Sequence, residues 1–251
     1  MTRYSLHTRS FTAAEDFADQ DVLVVGGGTS ALQFLLQLDA AGARTVWTTR
    51  RTPDWAPPAQ DATWGIAVEE MVSDRTRRGL PPLSVAAATG LPLDEQYTDG
   101  IRAGLLVTRG PLRRIAPAGV VLQGPGPDGR GVPSQGELAD GIRQDPLVEP
   151  VRALPGAAPQ DNTADDSRCW FTPVDTILWA TGFRATLGHL AALRLREPGG
   201  GVRMDEDGVS VSRVPGLYLV GYGASASTVG ATRAGRRAAV ASLRDLELAA
   251  S

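Results

Sequence analysis

Cysteine, histidine and lysine are the residues that this sequence has least of. Cys169 is the single cysteine, so an intramolecular disulfide, a Cys-x-x-Cys redox pair and a site with several thiolate ligands are excluded. Only His7 and His189 could add imidazole ligands, and no metal site is expected. All 25 basic residues are arginine, and the net charge is −3. This acidic balance does not favour a nucleic-acid partner.

Long apolar runs are also missing. No run approaches the ~20 residues that a membrane-spanning helix needs, and the first 20 residues are polar with charges of both signs, unlike a signal peptide. We therefore expect a cytoplasmic protein that does not enter a membrane. The length of 251 residues and the 42% hydrophobic content suit one large or two modest folded domains.

What the sequence does contain begins with a strand–helix–strand pattern. An apolar run from Asp21 to Val25 stops at three glycines, as expected of a strand buried on both faces of a parallel sheet. Apolar residues at helical spacing follow from Thr29 to Ala41, and Arg44 to Thr49 predicts a second strand. This is a βαβ unit with a right-handed connection, and it indicates an α/β fold.

Further elements are predicted along the rest of the chain. Helices are expected at 62–78, 93–103 and 228–248, strands at 105–107, 113–116, 120–122, 174–179 and 217–220, and a small hairpin at 202–211. The stretch 124–168 is rich in Gly, Pro, Asp and Gln and lacks periodicity, so we interpret it as a mobile surface insertion.

The three glycines belong to a Gly-x-Gly-x-x-Ala motif between the first strand and its helix. The motif reads Gly26-Gly27-Gly28-Thr29-Ser30-Ala31. Gly26 permits the tight turn, Gly28 lets a pyrophosphate approach the backbone, and Ala31 lets the helix pack closely on the strand. Unpaired amides and the helix dipole then face the anion. The motif predicts a dinucleotide site, and the alternative is a glycine turn without a ligand.

The residues after the second strand indicate which dinucleotide is bound. An acidic residue ~20 positions beyond the motif would bind a ribose 2′-hydroxyl, and none is present. Arg50 and Arg51 stand there instead, and two guanidinium groups suit a 2′-phosphate. The pair favours NADP(H) over NAD, and the alternative is a solvated arginine pair at a strand end.

The order of the motifs resembles one family of flavoproteins. The glycine-rich turn and the double arginine are followed by Ala180-Thr181-Gly182 at the end of a buried strand, and later by Gly221 and Gly223. This order is similar to that of the flavin-containing monooxygenases and related FAD/NAD(P)-dependent oxidoreductases. The resemblance implies that these five residues lie against a cofactor, and that the cofactors are NADP(H) and FAD.

The resemblance also implies how the chain is divided and what it does. Residues 17–182 would form a three-layer Rossmann-like NADP-binding domain, 183–251 the C-terminal part of a split FAD-binding domain, and 1–16 a linker from a first FAD segment. In such proteins NADPH reduces FAD, and reduced FAD activates oxygen to oxidise a small-molecule substrate. Because the flavin performs that chemistry, no catalytic acid, base or nucleophile is assigned to this chain.

The chain departs from the family pattern at its start. Family members open with a Gly-x-Gly-x-x-Gly unit that holds the ADP half of FAD, and no such unit precedes Asp21. This puts FAD binding by the chain alone in doubt. We therefore expect a partial chain that needs a complementing FAD-binding segment or forms a homodimer, with an apolar face exposed around 217–220 and the last helix. The alternative function is an NADP-binding module without catalysis.

Overall fold

The computed structural model describes residues 4–57, 62–123, 155–156, 158–160, 169–226 and 228–250. The strands are Tyr4–His7 (β1), Asp21–Val25 (β2), Arg44–Thr48 (β3), Trp55–Ala56 (β4), Leu91–Pro92 (β5), Leu112–Ala116 (β6), Gly119–Gln123 (β7), Ala158–Gln160 (β8), Cys169–Pro173 (β9) and Thr176–Trp179 (β10). The helices are Thr29–Ala40 (α1), Ala62–Arg77 (α2), Val85–Thr89 (α3), Glu95–Arg102 (α4) and Thr228–Ala250 (α5).

The chain divides into two compact units. The first comprises residues 1–58 and 90–182, and the second comprises residues 59–89 and 183–251. Residues 62–89 fall inside the predicted 17–182 domain, yet in the structure they belong to the second unit. No helix among the described residues is long and apolar enough to cross a lipid bilayer.

A parallel sheet forms the centre of the first unit. Its strand order is β1-β10-β2-β3, and every neighbouring pair is parallel. An isolated parallel bridge adds Thr108 beside Trp47 of β3. The apolar run of β2 is buried on both faces, as the sequence predicts, because successive side chains of a strand point to opposite sides. The parallel sheet confirms the α/β fold class.

Two further layers cover this sheet. Helix α1 packs against β2 and β3 with one fully buried stripe that includes Leu32, Leu35 and Leu38. On the other side Leu23 clusters with Val120 and neighbouring apolar residues of the antiparallel sheet β6-β7-β9-β8. The first unit therefore has three layers: a helix, a parallel sheet and an antiparallel sheet.

Several predicted elements differ in the structure. The predicted strand 105–107 is a turn followed by the single bridge at Thr108. The predicted strand 217–220 is wrong: it lies between Gly216 and Gly221, which both have positive φ, and it makes one isolated bridge, between Tyr218 and Ser210. The insertion predicted at 124–168 lies outside the described residues except for 155–156 and β8, which pairs with β9.

The second unit is built on a small apolar cluster instead of a large sheet. The cluster comprises buried residues from several loops: Leu195, Val202, Met204, Val211, Leu219 and Tyr222. The Val202 N–H donates to the Tyr222 hydroxyl at 2.8 Å. The exposed apolar surface expected on the last helix is confirmed by its exposed leucines, whereas around 217–220 only Val220, at 51%, is exposed and Leu219 is buried in the cluster.

Candidate functional site

The carboxyl ends of the parallel strands meet at one edge of the first unit. Residues 26–28 follow β2, residues 49–51 follow β3 and residues 180–182 follow β10. Ligands of open α/β sheets bind outside this edge. The structure therefore brings together the predicted glycine motif, the arginine pair and Ala180-Thr181-Gly182. Gly221 and Gly223 belong to the second unit.

Gly26 is required by the fold itself. Its φ is +154°, and a Cβ at this position would lie 2.1 Å from the backbone oxygen of Ala180. The Gly26 carbonyl accepts a 2.6 Å hydrogen bond from Trp47 Nε1, and its N–H donates to the Thr48 carbonyl at 3.1 Å. All its polar groups are used, so Gly26 shapes the turn between strand and helix without needing a ligand.

Gly27 and Gly28 are not required by the fold. Gly28 has φ −110° and ψ 171°, an extended conformation open to any residue. A Cβ on Gly28 would meet no atom within 4 Å, and one on Gly27 would meet only Thr49 Cγ2 at 3.9 Å. The chain leaves an open cradle that side chains would fill. A ligand that approaches the backbone closely accounts for both glycines, and a pyrophosphate fits this requirement.

The amino end of α1 faces the same cradle. Gly28 occupies the N-cap position and provides no side-chain hydrogen bond, so the first-turn amides are not satisfied by a cap. Thr29 is half-buried and Ser30 is exposed, whereas Ala31 is fully buried against the sheet. Uncapped amides at the positive end of the helix dipole attract an anion. The burial of Ala31 agrees with its predicted packing role.

Arg50 and Arg51 lie just beyond β3, and both are exposed. Neither forms an ion pair with a described residue. The backbone before them is held by two threonines: Thr48 Oγ1 donates to the Gly110 carbonyl at 2.5 Å, and Thr49 Oγ1 lies 2.8 Å from Thr108 Oγ1. A fixed backbone that presents two uncommitted guanidinium groups suits a phosphate bound at this edge.

Two residues at this edge are not predicted from the sequence. Trp47 is buried and holds the Gly26 carbonyl; a tryptophan inside a strand carries no signal for such a role. Arg109 is 4% exposed, and its backbone N–H donates to the Trp47 carbonyl at 2.8 Å. The sequence does contain a signal that could have placed Arg109 at this edge: it closely follows the apolar run 105–107, as Arg50 follows β3.

The residues predicted for FAD show a different pattern. Gly182, Gly221 and Gly223 have φ of +75°, +92° and +68°, so the backbone conformation alone accounts for them. The Gly221 N–H donates to Ser225 Oγ at 2.9 Å. A Cβ on Gly223 would lie 3.0 Å from Thr76 Cγ2. The fold therefore accounts for these two residues of the second unit without a flavin, and their contact with a flavin stays a prediction.

Comparison with known proteins gives a fold. No family model and no curated protein sequence matches the chain. A mutant of the flavin monooxygenase from Stenotrophomonas maltophilia matches 96% of this chain and 55% of its own at 23% identity and a TM-score of 0.58. Another structure, the flavin-containing monooxygenase from the same organism, matches 100% and 56% at 22% identity and a TM-score of 0.57. The chain has the fold of about half of a flavin-containing monooxygenase.

This likeness rests on shape, since the identities are below 25%. It agrees with the resemblance that the motifs suggest. The chain spans only 55–56% of the length of those flavin monooxygenases. The shared fold therefore does not show that this chain has their complete activity.

Proposed function

We propose that this chain binds NADP(H) at the carboxyl edge of its parallel sheet and forms the nucleotide-binding half of a flavoprotein oxidoreductase of the monooxygenase type. The observation that carries this proposal is the open cradle at Gly27 and Gly28, in front of the uncapped end of α1. The fold makes no demand for glycine at either position, whereas a pyrophosphate does.

Each part of the site has a separate role in this proposal. The amides of Thr29 and Ser30 and the helix dipole hold the pyrophosphate. Arg50 and Arg51 bind the 2′-phosphate that distinguishes NADPH from NADH. Trp47 fixes the turn by holding the Gly26 carbonyl. Bound NADPH supplies a hydride, and the residues of this chain position the nucleotide instead of carrying out chemistry on it.

The flavin part of the proposal rests on the fold likeness. We propose that FAD is held with the help of a complementing segment, because the Gly221 N–H is already bonded inside its own unit. The substrate would be a small molecule, and the location in the cytoplasm stays a prediction.

A second function has an observation in its favour. The Gly221 N–H is already bonded to Ser225 Oγ, so this turn does not present that amide to a flavin. The alternative is therefore a module that binds NADP(H) and catalyses nothing.

The nucleotide assignment is tested by titrating the purified chain with NADPH and NADH, followed by calorimetry or by NADPH fluorescence. The test variant carries Arg50→Ala and Arg51→Ala together. Hydrogen bonds to charged groups contribute ~1.5–3 kcal/mol each when shielded, and about 1 kcal/mol each is reasonable for these exposed side chains. The double variant should weaken NADPH binding by about 30-fold and leave NADH binding unchanged.

The matched control is Arg113→Ala with Arg114→Ala, an exposed arginine pair on β6 of the same unit. It should bind NADPH like the unmodified chain. Equal losses in both double variants would show a general charge effect and contradict the 2′-phosphate assignment.

Flavin separates the two functions. The chain is incubated with FAD, passed over a desalting column and examined for the visible absorbance of an oxidised flavin. Retained flavin supports the oxidoreductase. NADPH binding with no flavin retained makes this polypeptide alone a binding module and leaves the oxidoreductase to its assembly with the complementing segment.

A further inference from the structure

The last helix, α5, carries an apolar face that no described part of the chain covers. Val240, Leu243 and Leu246 are 48%, 60% and 67% exposed. At about 100° per residue, the three side chains lie within about a third of the helix circumference. Ala234, which is buried against the second unit, lies on the opposite side. Such a stripe of exposed large apolar side chains indicates an interaction surface.

The amino-terminal half of the same face is a shallow recess. Apart from Arg236, and from Arg233 at its edge, which pairs with Glu69, its exposed residues are small: Thr232, Gly235 and Ala239. A Cβ on Gly235 would meet no atom within 4 Å, and glycine inside a helix lowers its stability relative to alanine. The described chain does not use this space. The face therefore has large side chains at one end and room for them at the other.

Two charged residues lie within the face, between the angular positions of Val240 and Leu243. Arg236 and Glu247 are eleven positions apart, about three helical turns, so both lie on the same side. Both are exposed, and neither forms an ion pair with a described residue. The surface thus carries opposite charges at its two ends.

We propose that α5 pairs in antiparallel orientation with α5 of a second copy of this chain. In an antiparallel pair related by a two-fold axis, the same sides of the two faces meet. With the axis just beyond Ala241, Arg236 of each copy comes level with Glu247 of the other. Leu246 of each copy then lies over the recess at Gly235 of the other.

The sizes and the charges of the side chains on this face both favour an antiparallel pair, and both favour a second copy of the chain as the partner. Because the large and small halves of the face and its two charges complement each other within one surface, the surface is complementary to itself, as a two-fold interface requires. A parallel pair would place Leu246 against Leu246, leave the Gly235 recess empty and separate Arg236 from Glu247. In this register residues 233–250 of the two helices overlap, which provides about 27 Å of contact length.

The test measures the oligomeric state of the purified chain by light scattering after gel filtration and by sedimentation equilibrium. We expect a dimer at micromolar concentration. Leu243→Asp should raise the dimer dissociation constant on the order of 100-fold, because two central apolar side chains are lost per dimer. Arg236→Glu should raise it on the order of tenfold, because it sets a second carboxylate against Glu247.

A charge exchange tests the orientation. The double variant Arg236→Glu with Glu247→Arg restores both pairs and should bring the dissociation constant back to within about threefold of the original. Ile115→Asp, at a 55% exposed position in the first unit, should leave it unchanged. Circular dichroism checks that each variant is folded.

Three outcomes overturn the proposal. A monomer at all concentrations up to about 100 μM excludes a dimer of useful affinity and leaves the face to another polypeptide. A dimer that Leu243→Asp leaves intact, or that Ile115→Asp weakens equally, is formed through another surface. A charge exchange that fails to restore the dimer excludes the antiparallel pairing.

Discussion

Alanine substitutions at Gly26 and Gly28 of the glycine-rich turn should have opposite effects: the first should lower stability, and the second should weaken NADPH binding. Gly26→Ala places a Cβ 2.1 Å from the Ala180 oxygen at a residue whose φ is +154°. The backbone must move to relieve this contact, and we expect a loss of about 3–5 kcal/mol in the free energy of unfolding. For a chain of this length such a loss lowers the melting temperature by roughly 10 °C.

Gly28→Ala should affect binding and not stability. Its Cβ meets no atom of the chain within 4 Å, and its backbone is extended, so the cost is the preference of an N-cap for glycine over alanine, about 1 kcal/mol or less. In the proposed complex the same methyl group occupies the space of the pyrophosphate. The dissociation constant for NADPH should rise on the order of 100-fold, which equals about 2.8 kcal/mol.

Thermal denaturation and NADPH titration of the two variants measure both effects. Gly188→Ala is the control, because its Cβ also meets no atom within 4 Å and it lies in the second unit; it should change neither quantity appreciably. Unchanged NADPH binding by Gly28→Ala would show that the cradle is not the pyrophosphate site. Unchanged stability of Gly26→Ala would contradict the close contact with Ala180.

Two further predictions concern other parts of the molecule. Trp47→Phe leaves the buried Gly26 carbonyl without its donor, so we expect a loss of about 1–3 kcal/mol by chemical denaturation together with weaker NADPH binding, whereas Trp179→Phe, which loses a bond to Ser5 on the surface, should cost less. Burial raises the pKa of Asp207, but hydrogen bonds from Ser210 and Val209 outweigh it and hold the pKa below its ordinary value of 3.8. Because the folded-state pKa is the lower one, the contribution of Asp207 to stability is complete above pH 3.8 and is lost as the pH falls through the folded-state pKa. Asp207→Asn should therefore lower the denaturation midpoint at pH 7 and lose this effect in strong acid; a pH-independent difference would contradict the assignment.

The βαβ unit was predictable because local and tertiary requirements coincide there. The run from Asp21 to Val25 is apolar on both faces, and the sheet buries both faces. The helical spacing after Thr29 matches the stripe that packs on the sheet. Arg50 and Arg51 follow β3, as the sequence predicts, and their role in binding stays a prediction.

Elsewhere the same local signals fail, because long-range packing decides the outcome. The apolar run 217–220 predicts a strand, yet Leu219 is buried in a loop cluster while Val220 faces out. Helix α2 has the expected bounds, but its packing with residues 183–251 is a contact across more than a hundred positions. Periodicity in a sequence states which face of an element is apolar and not which segment covers it.

The glycines show why the nucleotide site and the flavin site have different support. Gly182, Gly221 and Gly223 have positive φ, so the fold would select glycine there with or without a cofactor. Gly28 has an extended backbone and open space beside it, so the folded chain favours glycine there only through the modest N-cap preference. Gly188 and Gly235 also have open space beside them, so this feature supports a ligand only at Gly28, where it coincides with the uncapped amides at the start of α1. The case for a bound dinucleotide therefore rests on residues of the first unit, and the case for a flavin rests on the likeness of the fold.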